Sequence, residues 1–394
     1  MKEKENWNTL LQKYSSHIQY GKEALDKIPF YLEKCFKDWE KREKIQEYIS
    51  LLHSSPELLA FYSKILLVLE EGILNGFTGK INDSLLEEPF PFPRNATMPE
   101  AAFLLLLALS CIPAGEKAFL RKDLPPEKLY EALDEFDAWS NNCFRNYAIS
   151  GLQYSHGFAW LIFRILPGIV LRFGRLEYNH SLFFPDILVF RNRKTGEYIP
   201  LVNGKYDVNR DGKLAIHPKE ETAFSTILPA GIFGSYTGNT VNADGKIRQE
   251  KTSFDLQEYE LILRPGDEVL YMHIPELGPL TPEEVEESFI KVREFYSRKE
   301  SSYHPRGIIC ASWLFDPVLQ DLLPENANLV RFQKSGFLLP PKGTSCDVIY
   351  RVFGVKGEKE GIDKVEWKSS LQKVLGNYLQ NGGFFRGGRY FRMF

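Results

Sequence analysis

Two short stretches place ionisable side chains, the raw material of a chemical site, at the ends of segments otherwise suited to burial. In Arg172-Phe-Gly-Arg175-Leu-Glu177-Tyr178 the charges interrupt a β-type segment, and a buried charge needs a partner or a purpose. Arg175 and Glu177 fall on one face of such a strand, so the segment reads either as a structural ion pair or as part of a site. His273 closes the apolar run Glu268-Val-Leu-Tyr-Met-His-Ile274 just before a Pro/Gly-rich turn. A side chain there faces any cleft that the sheet opens, and a satisfied structural histidine is the other reading. Competing chemistries lack their residues: the seven histidines show no metal-binding spacing, and neither a phosphate-binding loop nor Gly-x-Gly-x-x-Gly is present, which removes the main support for metal hydrolysis, ATP hydrolysis and hydride transfer. Ser235, in Gly231-Ile-Phe-Gly-Ser-Tyr-Thr-Gly238, lacks the glycine two residues before it that a nucleophile elbow carries. Asp207-Val-Asn209-Arg-Asp211-Gly212 opens like a calcium loop but carries Pro218 where the closing carboxylate belongs, so a solvated hairpin is expected. The tail from Gly382 to Phe394, rich in glycine, arginine and aromatics, has a composition that stacks on single-stranded nucleic acid. With three arginines and no other basic run, it is expected to be a terminal strand or plug.

The elements that must position His273 are strongly signalled. Glu268–Ile274 reads as a strand, and Thr281 then offers an N-cap, Pro282 the first helical position and Glu284 a capping-box carboxylate. Val285, Phe289, Val292 and Phe295/Tyr296 recur at helical spacing. Gly307–Leu314 follows as a second strand, ended by Phe315-Asp316-Pro317 and a short helix to Leu323. Strand, turn, helix and strand form the unit from which a parallel pair is built.

Before about Leu166 the pattern is helical throughout, with the stripe Leu58, Leu59, Tyr62, Ile65, Leu66 and Leu69 as its clearest core face. From about Gly168 the period becomes that of strands, in Ile169–Phe173, Leu182–Phe190 and Tyr198–Val202. The expected fold class is therefore α+β, with an all-helical domain at 1–166 and a mixed α/β domain at 167–394. Within the latter, 203–256 is polar and glycine-rich and is expected to be an inserted flap. It carries one phrase twice, Val208-Asn-Arg-Asp-Gly-Lys-Leu214 and Val241-Asn-Ala-Asp-Gly-Lys-Ile247, each a turn signal. Strands are expected near Asn328–Phe332 and Asp347–Phe353, and a helix from Trp367 to Leu379. A balance of 49 basic against 52 acidic residues argues against a chain-wide nucleic-acid or membrane-surface role. The apolar run from Ala101 to Pro113 reads as a buried helix, too short to span a bilayer. Scattered cysteines, odd in number, and an N-terminus without a leader-like apolar core suggest the cytoplasm.

The order of elements in the second half resembles the GNAT acyltransferase fold. Three blocks, Leu171–Tyr178, Tyr271-Met-His-Ile-Pro-Glu-Leu-Gly-Pro-Leu280, and Cys310-Ala-Ser-Trp-Leu-Phe-Asp-Pro317 with Leu323–Phe332, resemble a bacterial acyltransferase-domain family. That family joins an N-terminal helical N-acyltransferase domain to a GNAT-like C-terminal domain. The resemblance implies a CoA-dependent N-acyltransferase with acyl-CoA as co-substrate, a small-molecule or peptide amine as acceptor, and neither nucleic acid nor membrane as partner. It implies that the turn after Glu268–Ile274 offers backbone N–H groups to the coenzyme pyrophosphate, with Ile274, Leu277, Gly278, Leu280, Ser312 and Arg331 as the cofactor-binding set. It also implies a base, for which Glu177 or His273 is the candidate, and an acid, for which Tyr178 is the candidate. The sequence departs from the family's Gln/Arg-x-x-Gly-x-Gly/Ala: Gly278 stands alone among Pro275, Pro279 and Pro282, and Glu283, Glu284, Glu286 and Glu287 crowd the helix start. The alternative reading is a catalytically inactive GNAT-like fold serving as a binding or interaction module.

Overall fold

The computed structural model describes residues 7–12, 17–77, 89–94, 96–232, 234–298 and 303–394. The first six residues, on which the leader reading rests, lie outside them. The chain divides into two compact units, 1–173 with 275–277, and 174–274 with 278–394.

The first unit is helical up to Tyr147. Pro56–Asn75 starts at a proline in its first turn and buries Leu59, Tyr62, Ile65, Leu66 and Leu69, the stripe read from the sequence. The apolar run is a pair of consecutive helices, Glu100–Ser110 and Ile112–Arg121, broken where Pro113 removes a backbone donor. Together Glu100–Arg121 is long and apolar enough to cross a membrane, but 78% of its apolar 18-residue window is buried inside the protein, so the pair serves as core. Tyr154–Phe158 and Leu161–Ile165 form two wide π turns in succession. Strand β1 (Leu171–Phe173) ends the unit, with Arg172 buried and paired to buried Glu135 at 2.7 Å.

In the second unit, β2 (Leu176–Leu182), β11 (Glu268–His273), β12 (Gly307–Ala311), β14 (Arg389–Met393) and β13 (Phe337–Leu339) lie side by side in that order. β11 runs antiparallel to β2 and parallel to β12, and β14 is antiparallel to both its neighbours. The Pro282–Tyr296 helix makes the crossover. Thr281 caps it by accepting from Glu284 N at 3.3 Å, and Val285, Ser288, Phe289, Val292 and Tyr296 are its buried face. Each large apolar side chain on that face contributes about 1.5–3 kcal/mol.

The segment expected as a flap is part of a second sheet. β3 (Ile187–Asn192), β4 (Tyr198–Val202), β7 (Ala230–Ile232), β8 (Ser235–Val241), β9 (Ile247–Asp255) and β10 (Tyr259–Leu263) assemble in the order β10-β3-β4-β8-β7, with β9 paired to β8. β5 (Asp207–Val208) and β6 (Phe224–Ser225) form a separate ribbon. The repeated phrase builds the same turn twice. Asn209 N bonds Lys213 O and Gly212 N bonds Asn209 O; Asn242 N bonds Lys246 O and Gly245 N bonds Asn242 O. Gly212 and Gly245 take φ of 75° and 83°, which only glycine adopts at no steric cost. The two turns are tied by Ile247 N donating to Gly212 O at 2.7 Å. Asn209 Oδ1 accepts from Asp211 N and Lys213 N, so the calcium-like loop spends its central oxygen on its own backbone. Phe183, Val189, Val202, Ile309, Leu339 and Phe391 are packed into one core drawn from both sheets.

Two expectations are corrected. Asn328–Lys334 and Asp347–Glu360 are helices rather than strands. Short apolar runs do not discriminate the two states, and here neighbouring helices bury them: Phe332 lies 6.3 Å from Phe289 of the Pro282 helix. The tail ends in β14, inserted between β12 and β13.

Candidate functional site

The pairing of β11 with β12 is short. Leu270 is in register with Ile308 and Tyr271 with Ile309, and no pair follows, although β11 continues to His273 and β12 to Ala311. Beyond this point β2 still holds β11, with Met272 opposite Tyr178 and His273 opposite Glu177, while β14 holds β12 as far as the Ala311–Arg389 pair. Each strand therefore keeps its outer neighbour and releases its inner one, which opens the sheet between His273 and Ala311. Tyr271 reaches across this opening: its hydroxyl donates to Ala311 O at 3.1 Å and accepts from Ala311 N at 3.3 Å. Burial pushes its phenol up to about 12, so it stays protonated at neutral pH.

Strand alternation decides which candidates meet. Glu177, Asn179, Tyr271 and His273 share one face, since His273 pairs with Glu177 and Tyr271 with Asn179. His273 Nε2 lies 2.6 Å from Asn179 Oδ1, and its ring centroid is 4.9 Å from that of Tyr271. With Asn179 Oδ1 as acceptor, the Nε2–H tautomer is selected and Nδ1 becomes the basic nitrogen of the neutral ring. Glu177 is buried directly opposite. Tyr178 belongs to the other face. It is fully buried, its hydroxyl 2.9 Å from Ser288 Oγ beneath the Pro282 helix, and burial raises its pKa. The structure thus brings Glu177 and His273 together and does not bring Tyr178 to them.

The turn after β11 is held from below by Arg175. Its Nε donates to Pro279 O at 3.1 Å and its Nη2 to Gly278 O at 2.8 Å. With the carbonyls turned to the arginine and Gly278 at φ 93°, the N–H groups of Gly278, Leu280, Thr281 and Glu283 make no hydrogen bond among the described residues. Such donors at a helix N-terminus suit an anion. Ile274 continues β11 into this turn, Leu280 is buried at the helix start, and Leu277 belongs with the first unit. The glutamates at the helix start are largely engaged. Glu284 accepts from the Thr281 hydroxyl at 2.8 Å, Glu286 pairs with Arg392 at 2.7 Å and Glu287 with Lys291 at 2.7 Å.

Ser312 adjoins Ala311 at the open end of β12, and Arg331 lies elsewhere in this unit. Ser312 follows β12, bonds Gly388 O through its N–H at 2.9 Å and caps the Trp313–Phe315 turn. Arg331 is exposed on the Asn328–Lys334 helix, and no hydrogen bond or ion pair among the described residues links it to the turn. Sequence reasoning missed Asn179, Tyr271, Phe184 and Arg389, all at the opening. For Asn179 and Tyr271 the signal was present, since they lie two residues from Glu177 and His273 on the same strand faces. For Arg389 no local signal exists, because only the insertion of β14 beside β12 brings it there.

Residues 170–389 match the family model of the GNAT-like C-terminal domain, and the chain belongs to that family. None of the curated proteins matches the sequence. Among solved structures, an acyltransferase mutant in complex with octanoyl-CoA is similar at 18% identity and a TM-score of 0.60, over 98% of this chain and 94% of that one. An acyltransferase in complex with decanoyl-CoA and teicoplanin is similar at 17% identity and 0.60, with the same coverage. A third, with CoA and 10C-teicoplanin, is 18% identical at 0.60, again covering 98% and 94%. At these identities the likeness is one of fold.

Proposed function

We propose that this chain is a CoA-dependent N-acyltransferase, moving an acyl group from acyl-CoA to the amine of a small-molecule or peptide acceptor. The observation that carries the reading is the release of β12 by β11 after Tyr271 and Ile309, which parts the two strands beside a histidine and a buried carboxylate. The unbonded N–H groups from Gly278 to Glu283 support the same reading as a place for the coenzyme pyrophosphate, with Ile274 and Leu280 in the same unit. Family membership and a fold shared with acyltransferases solved with octanoyl-CoA and decanoyl-CoA support it further.

Acyl-CoA, when bound, supplies an activated carbonyl and a thiolate leaving group. His273 takes the proton from the attacking amine at Nδ1 as the C–N bond forms and the C–S bond breaks. Asn179 fixes the imidazole, and Glu177 opposite stabilises the imidazolium while it is charged. The same proton then returns to the departing sulfur. Tyr178 holds the helix and takes no proton. A reducing cytoplasm fits four buried free cysteines and an exposed fifth. The prolines at 275, 279 and 282 keep a second reading in view, a binding module without turnover. Release of free CoA thiol from octanoyl-CoA in the presence of an amine panel separates the two: turnover lost in His273→Ala supports the enzyme, and thiol release equal to buffer supports the module.

A further inference from the structure

Arg389 is half-buried on β14, and its guanidinium makes no hydrogen bond or ion pair among the described residues. An arginine removed from water without a partner is costly unless a ligand completes it. Its surroundings are specific. Arg389 is in register with Ala311, the last residue of β12 at the open end of the sheet. Its guanidinium lies 5.4 Å from the Phe184 ring centroid, and that ring stacks at 6.3 Å on Tyr271. On its other side is a narrow cleft whose charged lining is Asp186, Lys342 and Arg389. Asp186 is already committed: Lys342 pairs with it, and the Tyr206 hydroxyl donates to it at 2.6 Å. Burial opposes the Asp186 charge, but these hydrogen bonds, with the nearby charges of Lys342 and Arg389, outweigh it and hold the carboxyl below its usual range. Two cations and one carboxylate leave one positive charge over, and it sits on the residue nearest the opening.

We infer that Arg389 is a specificity residue that binds a carboxylate of the acceptor and presents the acceptor amine to the gap between β11 and β12. The inference rests on the acyltransferase reading for its consequence, though the binding site itself does not. The planar fork of arginine matches a carboxylate with two parallel hydrogen bonds, and the Phe184 face keeps water from one side of the pair. A coenzyme phosphate is the other anion this chemistry accepts. The turn expected to hold it follows β11, whereas Arg389 lies on the far side of β12, which favours the acceptor.

The test is a side-chain NMR titration of the full-length protein labelled with 15N-arginine, the Arg389 Nε–H signal being assigned by its loss in Arg389→Gln. Arg389→Lys removes the same signal and serves for assignment should the glutamine variant fold poorly. N-acetylglycine at millimolar concentration is expected to shift the signal saturably, N-acetylglycinamide and CoA to leave it in place. A shift with CoA and none with N-acetylglycine gives the arginine to the coenzyme and overturns the inference, as does no response to either. Thiol release from octanoyl-CoA by the unaltered protein is measured in parallel. Its absence removes the acyltransferase reading while a carboxylate-specific shift still stands. With turnover established, Arg389→Gln is expected to raise KM for carboxylate-bearing acceptors about 10- to 100-fold, leaving their amides and the KM for acyl-CoA unchanged.

Discussion

The two faces of the β2–β11 pair are built from alternate residues of the same strands, yet they solve opposite problems. On the helix side, Tyr178, His180, Leu270 and Met272 meet the Pro282 helix and the chain after it. Each polar group there has a fixed partner: Tyr178 with Ser288 at 2.9 Å, and His180 with Tyr296 at 3.1 Å and stacked on Tyr303 at 3.8 Å. On the other side Glu177, Asn179, Tyr271 and His273 gather ionisable and hydrogen-bonding groups at the point where β12 departs. A one-residue slip of β11 would exchange Leu270 and Met272 with Tyr271 and His273. Register, more than the identity of any single residue, makes one face structural and the other chemical.

The largest expected effect breaks the chemical face alone. His273→Ala is predicted to lower acyl transfer by about 10²–10⁴-fold, the range for loss of a general base, while its melting temperature stays close to that of the parent; kcat and thermal denaturation measured on one preparation check both halves. Next is the turn that serves this face. Gly278→Ala adds a Cβ that meets nothing within 4 Å, so its cost is backbone strain at φ 93°, about 1–2 kcal/mol. Denaturant unfolding should show that loss, and equilibrium binding should show weaker affinity for CoA. The mirror experiment on the structural face is Tyr178→Phe. It removes the hydroxyl that faces Ser288 and should cost about 1 kcal/mol in stability with turnover within a factor of two or so of the parent.

The smallest effect is one of pH. Burial lowers the His180 pKa below its ordinary value of 6.5, with Glu268 opposing. A depressed histidine binds its proton more weakly in the folded protein than in the unfolded one. Its contribution is therefore full above 6.5 and is lost as the pH falls through the folded value. The melting temperature should decline on acidification below about pH 6.5, the ordinary histidine range, and His180→Gln should flatten that decline.

Legibility followed the same divide between local and distant causes. The strand, capped helix and second strand around His273 could be read because Thr281, Pro282 and Glu284 act over four positions, and the structure places the cap and first turn there. The echo of Val208–Leu214 in Val241–Ile247 announced two like turns, and both have the same hydrogen bonds. What could not be read depends on partners far along the chain. Asn328–Lys334 is helical because it packs beside another helix, and the polar 203–256 segment is sheet because β4 pairs with β8 at Leu201 and Thr240. Arg389 reaches the site through the insertion of β14, which no pattern within the tail discloses. Tyr178 was misplaced for a simpler reason: adjacency to Glu177 in sequence means the opposite face in a strand.

The central claim, that the opening between β11 and β12 with its adjoining turn receives an acyl-CoA thioester, is tested most directly by calorimetric titration of the protein with octanoyl-CoA. The account predicts saturable binding that weakens in Gly278→Ala and persists in His273→Ala, since the base acts on the amine and not on the coenzyme. No binding heat at millimolar octanoyl-CoA, at two temperatures to exclude a vanishing enthalpy, would contradict it.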